Sequence, residues 1–416
     1  MGYIGQSPVV GAAQAAAPHS YRTGDGEEMT RMMRYKVIVL ITCLSVLTGC
    51  WDRVEINDLA LVMAGGLDLG ENGQVEASLQ IAIPQSSTTG QGGGKTKKAF
   101  MLVSETGKDG PDSLSKIQKR LSRKISFGHR GVLVIGEAYA RHGLDQVLDQ
   151  LTRSAENRYL VYVLTAHGTT AKQILKTSYL LESIPATALK KMQSNESSHS
   201  VKVDDFLGTL SSIGKSPVTG AIRLSSKDAN EASFQINEAA VYREGKLVGF
   251  LTENEMKILQ WERGKLKNER IQTQVERKEP GFKGTVSIVV LSAHTAIQTR
   301  MKDDLPEASI TFKFKGRVVE NDTRLDLSKG ENIKRVESKL TEHMEKQIKN
   351  LFLHVQKQLK SDIFGLGEQI HIEHGADWKK IKNQWNDIYP QVPVNVKVEV
   401  VIERIGRTQA PAQLKN

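Results

Sequence analysis

ENIKRVESKLTEHMEKQIKNLFLHVQKQLKS, residues 331–361, is the longest regular stretch of the chain. Ile333, Val336, Leu340, Met344, Ile348, Leu351, Val355, Leu359 and Ile363 recur every three or four positions, the spacing that puts side chains on one face of a helix. Lys, Glu and Gln fill the opposite face. Such a stripe predicts a helix lying on a sheet, about 46 Å long at 1.5 Å per residue. It holds no strict heptad, which argues against a free coiled coil. The sheet is predicted on either side of it. Residues 285–291 and 309–319 read as strands, and in 392–405 Val394, Val396, Val398 and Val400 alternate with Asn395, Lys397 and Glu399. This C-terminal unit, 281–416, is read as α+β, one long helix packed on a sheet.

Toward the N-terminus, 239–242 and 246–250 flank Arg243-Glu244-Gly245 as a hairpin. Thr252 and Glu255 then form a capping box opening a helix to about Trp261. Residues 268–281 are charged and end in Pro280-Gly281, a boundary signal. Further upstream, a strand over 61–67, the turn Glu71-Asn72-Gly73 and an alternating strand at Val75, Ala77, Leu79 and Ile81 predict a hairpin with one wet face. Residues 86–98 read as a mobile Ser/Thr/Gly/Lys loop and 99–104 as a strand. Leu114, Ile117, Leu121 and Ile125 mark a helix starting near Pro111. The apolar run 131–136 predicts a strand buried on both faces. A helix over 144–153, a strand over 160–165 and a helix from Thr170 follow, and Ser194 to Ser200 reads as a surface junction. The expectation is an α+β, multidomain chain of mixed sheets covered by helices: an N-terminal α/β domain over 50–198, a middle domain over 199–280, and the C-terminal unit.

The start of the chain sets its cellular setting. Arg31, Arg34 and Lys36 precede an apolar run from Val37 to Leu47, which closes on Leu47-Thr48-Gly49-Cys50. Charged, apolar and small-residue regions in that order are the layout of an export signal. The Leu-Thr-Gly-Cys ending resembles the bacterial lipobox, in which diacylglycerol is attached to the cysteine sulfur before cleavage. A membrane-spanning anchor is the competing reading, but eleven residues fall short of the roughly 20 that cross a bilayer. Cys50 is therefore the expected lipid-attachment site, with possible N-acylation, and residues 1–49 are expected to be removed. Residues 1–28 sit awkwardly ahead of such a signal, so translation is expected to begin at Met29, Met32 or Met33. Of 416 residues this leaves 367, enough for two or three domains.

Taking four Lys+Arg and three Asp+Glu from totals of 57 and 47 leaves 53 against 44, a net charge of +9. That surface suits anionic lipid head groups. No basic block interleaved with aromatics points to nucleic acid. Cys43 lies in the apolar run, so the mature chain keeps no thiol for a disulfide, a metal or a nucleophile beyond the acylated Cys50.

Other chemistry is weighed on residue spacing. Gly90 to Thr96 invites comparison with a phosphate loop, but position 89 is Thr rather than Gly and a strand is predicted next. His371, Glu373 and His374 lie close together, yet zinc wants three or four ligands at other spacings. Ile370-His371-Ile372 alternates as an exposed strand edge would. No Gly-x-Ser-x-Gly elbow occurs. Trp51 and Trp261 are read as core or membrane-interface residues rather than ligand platforms. The expectation is no catalytic, cofactor or metal residues, and no enzyme.

Three stretches, taken in order, resemble the Ger(x)C family of spore germination lipoproteins, the C subunits of spore germinant receptors. The first is Leu47-Thr48-Gly49-Cys50-Trp51-Asp52-Arg53-Val54-Glu55-Ile56-Asn57-Asp58-Leu59. The second is Arg130-Gly131 through Ile135-Gly136-Glu137, and the third runs from Ala240 through Leu251, followed by Glu255 and Trp261. The resemblance implies a three-domain α+β protein on the outer surface of the spore's inner membrane, acting with a multi-spanning A subunit and a transporter-like B subunit. It carries over one functional atom, the acylated sulfur of Cys50. The alternative is a lipid-anchored solute-binding protein of a transporter. Such a protein would show two helix-rich βαβ lobes rather than a strand-rich end with one long helix.

Overall fold

The computed structural model describes residues 25–46, 55–84, 99–144, 160–195, 198–225, 233–266, 268–276, 283–303, 305–323 and 325–405. Two units divide the chain, Met1–Ile56 and Asn57–Asn416. The first contains helix α1 (Asp25–Val46), which carries Arg31, Arg34 and Lys36. No helix among the described residues is long and apolar enough to cross a membrane.

The second unit opens with the hairpin of β1 (Leu59–Leu69) and β2 (Val75–Ala82), joined through the turn at Glu71–Gly73. β3 (Phe100–Gly107) pairs with β2. Contrary to the wet-face expectation, β2 is buried on both sides, Ser78 and Gln80 included. Each buried polar group there has a partner. Ser78 Oγ lies 2.8 Å from Ser104 Oγ, Gln80 Nε2 donates to Leu175 O at 2.7 Å, and Ala186 N donates to Gln80 Oε1 at 2.9 Å. Polarity predicted solvent where the fold supplies helices.

Helix α2 (Gly110–Lys119) starts at the Asp109 cap and ends sooner than its apolar spacing predicts. Gln118 ends it, its Oε1 accepting from Ile125 N at 2.9 Å and its Nε2 donating to Arg123 O at 3.0 Å. The chain is thereby drawn into β4 (Lys124–Ser126), which pairs with β1. β5 (Val132–Ile135) is buried at every position, as the apolar run predicts. Helix α3 (Glu137–His142), strand β6 (Tyr162–Ala166), and helices α4 (Ala171–Lys176), α5 (Pro185–Ser194) and α6 (Val203–Ser211) follow. The helix expected over 144–153 falls almost wholly outside the described residues. β7 (Val218–Ser225), β8 (Ser233–Arg243) and β9 (Lys246–Leu251) complete a nine-stranded sheet of order β3-β2-β1-β5-β6-β7-β8-β9, with β4 beside β1. β1, β5, β6 and β7 run parallel and the outer strands antiparallel. Ile174 and Leu189 cover one face against Val132 and Val134, while Tyr139 and Phe206 cover the other against Leu133 and Ile135. Strands from both sides of residue 199 belong to this sheet, β6 pairing with β7.

Helix α7 (Glu253–Glu262) begins at the expected capping box, with both reciprocal bonds of Thr252 and Glu255 present. The second sheet has the order β10-β11-β12-β13, built from β10 (Arg270–Glu276), β11 (Lys283–Lys302), β12 (Leu305–Asn321) and β13 (Val394–Arg404). β10 lies in the charged stretch read as a boundary. Its buried Ile271 and Val275 are too few for an apolar count to find. β11 and β12 extend beyond the predicted strands. From residue 291 to 302, exposed residues alternate with half-buried ones, among them Ala293, Ile297 and Met301 packed on the core.

Helix α8 (Gly330–Leu353) lays Val336, Leu340, Met344, Ile348 and Leu351 on this sheet, the face its stripe predicts. It widens into a π turn at His354–Gln358. There the buried Gln356 Nε2 donates to Val392 O at 2.9 Å. Helices α9 (Leu366–Glu373), α10 (Gly375–Ile381) and α11 (Trp385–Ile388) close the second layer. One core cluster joins α7, the second sheet and α8 to Val218, Ala239 and Val241 of the first sheet. The architecture is α+β with mixed sheets covered by helices.

Candidate functional site

Cys50, the expected lipid-attachment residue, lies outside the described residues, as do Trp51 to Val54 and the Gly90–Thr96 loop. The remaining marked stretches are placed, and the fold gives each a physical task.

In the stretch from Arg130 to Glu137, Gly136 is required by contact. A Cβ built there would lie 1.9 Å from Asp68 Oδ1. The absent side chain lets Asp68, buried near the end of β1, reach the start of α4, where Ala171 N donates to Oδ1 at 2.8 Å and Lys172 N to Oδ2 at 2.9 Å. Burial raises the Asp68 pKa above its ordinary value, and the two N–H donors oppose that shift. Glu137 pins the next turn, with Oε2 accepting from Gly168 N at 2.7 Å and Oε1 lying 2.8 Å from Arg141. Arg130 lies over the Phe127 ring at 5.1 Å, its pKa lowered to about 10 by burial. The stretch is a brace between strands and helices.

The hairpin stretch reads the same way. Glu244 and Gly245 both have positive φ, 49° and 75°, as a two-residue turn between twisted strands requires. Tyr242 is buried, with its hydroxyl 2.6 Å from Thr165 Oγ1, which lies 2.7 Å from Thr219 Oγ1. Burial pushes its pKa up. Trp261 is core, edge-on to Phe314 at 5.4 Å.

His371, Glu373 and His374 lie on or at the end of helix α9, where alternation predicted a strand. Asp362 decides the matter. Its buried carboxylate accepts from Gly365 N, Leu366 N and Gly367 N at 2.8, 3.0 and 2.9 Å, and from Trp385 Nε1 at 3.2 Å, which starts the helix. Burial nonetheless raises its pKa to about 6. Glu373 accepts from Thr299 N at 2.7 Å, and His374 Nε2 donates to Thr299 O at 3.1 Å, so both fasten the edge of β11. His371 is exposed. Among the described residues, no group of three or more His, Cys, Asp or Glu could hold a metal.

Sequence reasoning missed Asp68 and Asp362, together with His199 and its neighbours. Ser198 and His199 are buried, although they belong to the Ser-rich stretch read as a surface junction. The available signal at Asp362 was the pair of glycines, Gly365 and Gly367, which follow an acid at the spacing a carboxylate needs to receive several backbone N–H groups.

Comparison with known proteins covers the length of this fold. Residues 52–224 match the family model described as spore germination protein N-terminal domain, and 237–406 match spore germination B3/GerAC like, C-terminal. The chain belongs to the Ger(x)C family of spore germination proteins. It is 28% identical over 405 residues to spore germination protein KC of Bacillus subtilis (strain 168), covering 92% of this chain and 98% of that protein. Spore germination protein YndF of the same organism is 24% identical over 407 residues, with 91% and 98% covered. The crystal structure of the GerBC protein shares the fold, with a TM-score of 0.51 at 19% identity, over 82% of this chain and 96% of that one. The Ger(x)C division between residues 224 and 237 falls between β7 and β8, neighbours in the first sheet.

Proposed function

We propose that this chain is the lipid-anchored C subunit of a nutrient germinant receptor, a non-catalytic protein needed for receptor assembly and response in spore germination. The observation that carries the reading is the end-to-end family match, from residue 52 to residue 406 in two consecutive models. The Leu-Thr-Gly-Cys sequence supports acylation at Cys50, on the sulfur and at the new N-terminus. On this reading the protein sits on the outer face of the spore's inner membrane beside A and B membrane subunits. Its net charge of +9 beyond residue 49 favours anionic lipid.

Spores lacking the gene test this directly. They should lose dipicolinic acid release in response to the germinants of the cognate receptor and keep their response through unrelated receptors. Normal responses to every germinant, in a strain with the companion subunits and no second C subunit for that receptor, would reject the proposal.

A further inference from the structure

The two most exposed large apolar side chains among the described residues stand next to each other. Leu180 is 84% exposed and Leu181 82%, at the tip of the segment that joins α4 to α5. Single exposed leucines are ordinary on a protein surface, but a projecting pair marks a contact made with something else. They fill the middle of a four-residue turn in which Glu182 N donates to Tyr179 O at 3.3 Å.

The turn is held rather than loose. Gln80, fully buried on β2, grips both ends of the segment. Its Nε2 donates to Leu175 O at 2.7 Å and its Oε1 accepts from Ala186 N at 2.9 Å. Tyr179 stacks on Phe234 of β8 with ring centroids 5.6 Å apart, and Glu182 pairs with Lys191 of α5. Tyr179 and Glu182 are thus half-buried on either side of the two leucines. Fixing the flanks denies Leu180 and Leu181 a place in the core and leaves their apolar surface in water, an unfavourable state until something covers it.

The position of the turn indicates what covers it. Gln80 lies opposite Ala64 of β1, and β1 begins at Leu59, about 17 Å away at roughly 3.3 Å per residue. Nine residues separate Leu59 from Cys50, a reach of at most about 30 Å. With Cys50 acylated, this part of the first sheet is held close to the bilayer. Exposed lysines flank the turn, Lys176 at the end of α4 and Lys190 on α5. Lys190 lies over Gly131, whose N–H donates to Met63 O of β1 at 2.9 Å.

We propose that Leu180 and Leu181 insert into the head-group region of an anionic bilayer, with Lys176 and Lys190 against its phosphates. This turn is a second membrane contact, one that orients the folded chain on its anchor. Apolar side chains leave water there while ammonium groups meet anionic head groups, the pairing that interfacial sites combine. The inference rests on the Cys50 anchor for its placement, so it is tested both with and without that anchor.

Leu181→Cys would carry an environment-sensitive nitrobenzoxadiazole label in two full-length chains, the lipid-anchored protein and a Cys43→Ser, Cys50→Ala chain that takes no lipid. Each is combined with vesicles of phosphatidylcholine, with or without phosphatidylglycerol, and flotation is followed in parallel. Emission should shift to the blue and be quenched by nitroxide-labelled lipid in both chains, more so with phosphatidylglycerol. The unanchored chain should need about tenfold more lipid or more, because tethering raises the local concentration. Leu180→Ser should weaken its response about tenfold, the scale of one apolar side chain left in water. A label at Ile372→Cys on α9, a lone residue 77% exposed, should stay water-like. A label at residue 181 that stays water-like in both chains, or responds no more than residue 372, would overturn the inference even where the anchored protein floats. Flotation that fails while residue 181 responds would reject the anchor and leave the inference standing. A label already shielded before lipid is added would overturn it in favour of a contact between proteins.

Discussion

The interior holds two polar centres built to opposite rules. At Asp362 both carboxylate oxygens are paired, with three backbone N–H groups and an indole converging on one side chain. On α5 and α7, Gln193 and Gln260 each bury an amide oxygen that has no partner among the described residues. The first is closed and does structural work, tying α9 and α11 to the end of α8. The second is equally closed to solvent but leaves two acceptors without a partner among the described residues. Burial alone therefore does not identify a functional group. The number of unmet hydrogen bonds separates a clamp from a loosely satisfied interior.

The largest expected effect concerns the apolar face of α8, packed on the second sheet. Leu351→Asp on the buried stripe of α8 should cost roughly 4 kcal/mol or more, since it loses core packing and buries an unpaired charge. Lys349→Asp on the outer face, where Lys349 pairs with Glu345, should stay within about 1 kcal/mol. Equal losses in chemical denaturation would mean the stripe does not face the core.

Asp362 should show itself in the pH dependence of stability. Its folded pKa of about 6 lies above the ordinary 3.8, so the folded state holds the proton more tightly than the unfolded one. Its contribution is fully present below about pH 4 and is lost as pH rises through about 6, a fall on the order of 3 kcal/mol. Asp362→Asn should flatten that window in denaturation curves taken from pH 4 to pH 7. An unchanged slope would show that the four donors, not burial, set its protonation.

A smaller effect is expected at the Asp68 brace. Gly136→Ala must push against the Asp68 carboxylate and should cost roughly 2 kcal/mol. Gly131→Ala meets the flexible end of Lys190, with Cδ at 2.8 Å, and should cost less than about 1 kcal/mol. Melting temperatures of the two variants decide this, and the reverse order would contradict the assigned contact.

Much of this fold is written in local patterning. The α8 stripe, the β5 run, the Glu244-Gly245 turn and the Thr252 capping box all act through neighbours a few residues apart, so spacing alone reveals them. What spacing hid depends on distant partners. Ser78 and Gln80 look solvent-facing until Ser104, Leu175 and Ala186 supply their bonds. Residues 370–372 look like a strand until Asp362 caps them into a helix. His199 looks like part of a polar linker until β7 and Arg263 close over it. The unpaired amide oxygens of Gln193 and Gln260 were least visible, because pairing is settled only in three dimensions. Cys50 was the opposite case, visible only as a one-dimensional signal.

The measurement that most directly tests the central claim is made on Cys50. Cys50→Ala should leave the soluble fold intact, abolish incorporation of labelled palmitate, release the protein from the spore membrane fraction, and impair dipicolinic acid release through the cognate receptor, because tethering sets the effective concentration near its partners. Equal label incorporation in the Ala variant, or membrane retention with normal germination, would contradict the account.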